Sequence, residues 1–104
     1  MSERLLKATE NIIETITHSV VNAGVATSQV LAANPVRRYV LIINDSDTIV
    51  YLRLGSTAAL NAGIRLNANG GVYEMSGALG NLFKGSIAAI TTVESKKLLV
   101  TEGV

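Results

Sequence analysis

Apolar positions recur along this chain of 104 residues with two different periods, and the change between them divides it. Near the start, Leu5, Thr9, Ile12 and Ile16 follow one another at intervals of four, three and four. Leu6 and Ile13 sit beside them and widen the stripe to one face of a 3.6-residue repeat. The spacing predicts an amphipathic helix from Ser2 to about Thr17, with Ser2 as its cap and Glu3 at the positive end of the helix dipole. Working against it, Ile12 to Thr17 is mostly β-branched, which lowers helix propensity.

From about Ser19 the texture becomes that of strands. Arg38 to Ile43 and Thr48 to Leu54 are rich in aliphatic and β-branched residues, and Asn44-Asp45-Ser46-Asp47 between them has the composition and length of a hairpin turn. Shorter strands are predicted over Val25–Leu31, Ile64–Leu66, Val72–Ser76, Gly85–Val93 and Lys97–Thr101. They are separated by Asn34-Pro35, Gly55-Ser56, Asn61-Ala62-Gly63, Asn69-Gly70-Gly71, Gly77 to Gly80 and Glu94-Ser95. Short strands at this frequency predict a mainly β fold: one antiparallel β-sandwich, jelly-roll-like, over residues 19–104, with residues 1–18 as an N-terminal helical arm.

Two strands are apolar on both faces. Neither alternate set of Tyr39–Ile43 is polar, and Ile49 and Tyr51 lie opposite the Val50, Leu52 and Leu54 set. Something must cover the second face, either the helix, a loop or another copy of the chain. Ile49 and Tyr51 are therefore candidates for self-association. Leu5, Leu6, Ile12, Ile13 and Ile16 are candidates for docking the arm onto a partner or a neighbouring subunit.

Composition narrows the chemistry. At 48% apolar and 16% charged, with a mean hydropathy of +0.36, the chain can fill one core and does not resemble a disordered segment. The absence of cysteine excludes disulfides, thiolate metal sites and cysteine nucleophiles. A net charge of +1 gives no electrostatic reason to expect nucleic acid or an anionic membrane as a partner. The longest central apolar run, Tyr39 to Ile43, falls far short of the roughly 20 residues of a membrane span. Charges at Glu3, Arg4, Lys7, Glu10 and Glu14 interrupt any signal-peptide core, so synthesis in a cytosol is expected and the sequon Asn44-Asp45-Ser46 reads as chance.

No catalytic constellation emerges. His18 stands alone, and a zinc site built on it would need carboxylates for nearly every other ligand. Asp45-Ser46-Asp47 starts like a calcium loop, but Val50 and Ser56 occupy the places that require glycine and glutamate. Glu74, Glu94 and Glu102 are not brought together by any spacing, and the glycine turns lack the lysine of a phosphate loop. Arg37-Arg38 and Lys96-Lys97 are the only basic doublets, and aromatics total 4%, too few for a stacking platform. The reading is of a non-enzymatic protein without cofactor or metal.

A longer pattern carries a resemblance. Ala33-Asn34-Pro35-Val36-Arg37-Arg38-Tyr39-Val40-Leu41-Ile42-Ile43-Asn44-Asp45-Ser46 is followed by Tyr51-Leu52-Arg53-Leu54-Gly55 and Asn61-Ala62-Gly63-Ile64-Arg65-Leu66. Next come Gly70-Gly71-Val72-Tyr73-Glu74-Met75, Gly85-Ser86-Ile87-Ala88-Ala89-Ile90 and Leu98-Leu99-Val100-Thr101-Glu102-Gly103. This order resembles small β-sandwich virion proteins of tailed bacteriophages over residues 32–104, in strand and turn signatures rather than chemical motifs. The resemblance implies a structural protein of the virion, a capsid decoration (cement) or head-fibre base protein. Such a protein is expected to bind the major capsid protein or other virion proteins, with Leu5, Leu6, Ile12, Ile13 and Ile16 as the stripe that docks on the capsid, and to form a homotrimer. It carries no catalytic residues to transfer. The alternative is a fibre-type module recognising a host surface glycan, for which Tyr73 is the best-placed aromatic.

Overall fold

Val40, Ile42 and Asn44 are buried while Tyr39, Leu41 and Ile43 between them are half-buried, the alternation of a strand with one face on a core. In the computed structural model, which describes residues 12–104, the same logic yields eight strands. They are β1 (Ile16–Ala23), β2 (Ser28–Leu31), β3 (Tyr39–Asn44), β4 (Val50–Leu54), β5 (Ile64–Leu66), β6 (Gly71–Ser76), β7 (Ile87–Thr91) and β8 (Lys96–Gly103). They form two four-stranded sheets, the first in the order β1-β8-β3-β6 and the second in the order β2-β7-β4-β5. Every neighbouring pair is antiparallel.

All eight strands contribute to a single core. Ala23, Val30, Val40, Ile42, Val50, Leu52, Leu66, Met75, Ile87, Ala89, Leu98 and Val100 are buried together between the sheets. The mainly β sandwich expected from the sequence is therefore present.

The helix is not. Residues 12–15 have no regular structure and Ile16 and Thr17 already belong to β1, so the helical part of the arm does not extend over the described residues. Its earlier portion, with Leu5 and Leu6, lies outside them. The β-branched run decided the matter: Ile12, Ile13, Thr15, Ile16 and Thr17 lose rotamer freedom in a helix and keep it in an extended chain. This segment instead zips onto the C-terminus. Glu14 and Thr15 donate backbone N–H groups to the Val104 carbonyl at 2.8 and 2.9 Å, and Val104 N–H returns a bond to Thr15 at 2.9 Å.

The hairpin at Asn44–Asp47 also fails. β3 lies in the first sheet and β4 in the second, so this turn arches across the sandwich. Every connection except β4–β5 passes between sheets in the same way. Asn44 makes the arch possible. It is fully buried, its Nδ2 donates to the carbonyls of Thr48 at 2.8 Å and Leu66 at 3.1 Å, and its Oδ1 accepts from Ser46 Oγ at 2.7 Å. A buried amide that satisfied contributes stability; one left without partners would cost it.

Candidate interaction surface

The outer face of the first sheet is built by register. Val20 pairs with Leu99, Leu99 with Ile43, and Ile43 with Val72, so one aliphatic residue from each strand stands in a continuous row across the sheet. Val20 is 59% exposed, Val72 54% and Leu99 36%, and Ile43 is half-buried. The next row runs His18, Thr101, Leu41, Glu74, and the one beyond it Ile16, Gly103, Tyr39, Ser76. Polar groups thus border the aliphatic row without interrupting it.

Those polar groups are organised. His18 Nδ1 lies 2.9 Å from Thr101 Oγ1, and Tyr39 donates its hydroxyl to Glu74 Oε2 at 2.6 Å. That bond keeps the proton on Tyr39, which raises its pKa, with partial burial and the Glu74 charge adding to the effect. On the far side of the row, Lys97 Nζ is 3.1 Å from Asp45 Oδ2. Lys96 pairs with Asp47 at 2.7 Å, and this bond, helped by the Thr48 hydroxyl, holds the Asp47 carboxyl below its ordinary range. The two carboxylates of the calcium-like turn are thus matched to lysines. Among the described residues no group of three or more histidine or acidic side chains could hold a metal ion.

The other candidate residues are dispersed. Ile49 is half-buried, and its carbonyl accepts from Thr91 Oγ1 at 2.7 Å. Tyr51 is half-buried in the second sheet between Ile90 and Arg65, and its hydroxyl donates to Asn61 Oδ1 at 2.9 Å. Arg53 and Arg65 give that face a polar surface. Ile12 is 54% exposed and its carbonyl accepts from the Arg38 guanidinium. Ile13 lies on Gly103, where an added Cβ would come within 2.8 Å of its Cγ2. Ile16 belongs to the outer face of the first sheet, two rows from Val20. Tyr73 is half-buried and packs against the core.

Arg37, half of a basic doublet in the sequence, is wholly buried. Its Nε donates to Glu102 Oε2 at 2.7 Å, Nη1 to the carbonyls of Phe83 and Gly85 at 2.8 Å each, and Nη2 to Ala32 at 2.6 Å. It borders a surface depression of about 350 Å³ with Pro35, Val36, Arg38, Gly77, Leu82 and Lys84. With these donors committed, Arg37 clamps the β2–β3 and β6–β7 loops to β8 and offers that depression little for a ligand.

No protein-family model, curated protein or solved structure matches this chain. The functional reading therefore rests on its own residues. The aliphatic row was visible in part: the doubly apolar Tyr39–Ile43 strand announced it, but Val20, Leu99 and Val72 came from segments whose neighbours the sequence does not reveal. Among the described residues no helix is long and apolar enough to cross a membrane.

Proposed function

We propose that this protein is a non-enzymatic structural component of a tailed-phage virion, a capsid decoration or head-fibre base protein that associates with copies of itself and with the capsid lattice. The row Val20–Leu99–Ile43–Val72 carries this reading, because it places apolar surface in water on a sheet that needs no cover to complete its own core. Strand orders of β1-β8-β3-β6 and β2-β7-β4-β5 are those of a jelly roll, an architecture used by capsid and lectin domains. That is support by fold analogy, while the exposed row is support from the site. Leu5 and Leu6 are proposed for capsid docking on the sequence alone.

The test is composition. Particles of the phage encoding this chain, purified and quantified by mass spectrometry, should contain it at a fixed ratio to the major capsid protein. Purified protein should rebind particles stripped of it. Absence from the particles overturns the proposal.

A further inference from the structure

The exposed row has a symmetry that its residue types alone do not require. The first sheet runs β1-β8-β3-β6, so a half-turn about a line between β8 and β3, parallel to the strands, places β8 where β3 lay and β1 where β6 lay, each running opposite to the strand it replaces and at the same level. A twofold axis parallel to that line, midway between two copies, lays the same face of each against the other with strand axes aligned and facing strands antiparallel, one of the two common ways in which sheets pack.

The register then decides which side chains meet. Val20 comes over the partner's Val72 and Leu99 over the partner's Ile43, so the row is covered by its own reverse. One level along, His18 comes over the partner's Glu74 and Thr101 over the partner's Leu41. On the other side Lys97 comes over the partner's Asp45, so each Lys97–Asp45 pair meets the same pair reversed. Among these four charged or titratable groups no like charges face each other. If Thr101 donates to His18 Nδ1, the ring proton is left on Nε2, where it can be given to a carboxylate.

We infer that the outer face of the first sheet is a twofold interface whose occupant is a second copy of this chain, the β1 edge of each copy lying over the β6 edge of the other. The inference rests on the self-association in the proposed function and adds the surface, the symmetry and the opposing pairs. Four strands and six residues make a face of roughly 19 by 20 Å. That is about half of the roughly 800 Å² per partner in a standard interface, which suits a reversible dimer in the micromolar range rather than a permanent one.

Sedimentation velocity of the full chain from low micromolar to near-millimolar concentration reads the dimer directly. Leu99→Lys puts a charge at the centre of the face and should weaken dimerisation at least about tenfold with an unchanged melting temperature. His18→Glu and Glu74→Lys should each weaken it by about threefold or more, and the double substitution should restore it. Within one copy these positions lie on opposite edges of the sheet, roughly 14 Å apart, so restoration arises only between copies. A chain that stays monomeric throughout overturns this inference and the self-association reading together. An oligomer, trimeric or otherwise, that is indifferent to Leu99→Lys keeps self-association and overturns the inference. Loss on Leu99→Lys without rescue by the double substitution overturns the twofold register and the inference with it.

Discussion

Arg37 Nε donates to Glu102 Oε2 at 2.7 Å, joining residues 65 apart in the chain, with the guanidinium entirely removed from water. The same side chain satisfies the carbonyls of Ala32, Phe83 and Gly85. Arg37→Met should leave Glu102 and three carbonyls without their donor and cost about 3–5 kcal/mol, read as a lower midpoint in urea unfolding. Glu102→Gln keeps an acceptor in place and should cost less. Arg37→Lys should not rescue, because an ammonium cannot reach acceptors spread over a planar fork.

Gly63 separates strain from collision. Its φ is +82°, and an added Cβ would overlap the Leu52 carbonyl oxygen. Gly80 has a similar φ of +78° but open space around it. Gly80→Ala should cost about 1 kcal/mol through backbone strain alone. Gly63→Ala should cost about 2–3 kcal/mol because β4 must also shift, and the two melting temperatures should differ by several degrees.

Tyr39 should titrate above its ordinary value of 10.0, because Glu74 accepts its proton in a hydrogen bond. The folded phenol holds its proton more tightly than the unfolded one. The stability it contributes is therefore complete below pH 10 and is lost as pH rises through the raised folded value. Glu74→Gln should bring the Tyr39 titration back toward 10.0 in an NMR pH series and flatten the alkaline loss of stability.

Asp47 behaves in the opposite sense. Its bond to Lys96 holds its pKa below 3.8, so its contribution is present above that pH and is lost as pH falls through the lowered folded value. The carboxylate is on the surface, so the stability effect should be small and should fade in high salt. Lys96→Ala should raise the Asp47 titration toward its ordinary position, as followed by its carboxyl carbon shift.

Strand existence was legible because alternation is a local property. Ile64–Leu66 has the ends its sequence predicts, and β3, β4, β6, β7 and β8 lie within two residues of theirs. β2 begins three residues later than its sequence predicts: Val25 is held in a loop, its N–H bonded to Glu94 Oε1 at 2.8 Å. β1 was hidden, because Ile12 and Ile16 repeat at helical spacing while their β-branched side chains favour an extended chain.

The residue pattern determined that the chain is β, that it has one core and that Tyr39–Ile43 is apolar on both sides. Tertiary structure alone decided where the strands go. Asn44-Asp45-Ser46-Asp47 can close a hairpin or an arch with the same local chemistry, and what selects the arch is the Asn44 bond to Leu66, which lies 22 residues away. Likewise Val20, Ile43, Val72 and Leu99 form one surface only because four separate strands meet in one register. Period-2 patterning fixes which side of its own strand a residue occupies; which strands lie beside it is set by long-range hydrogen bonds and core packing.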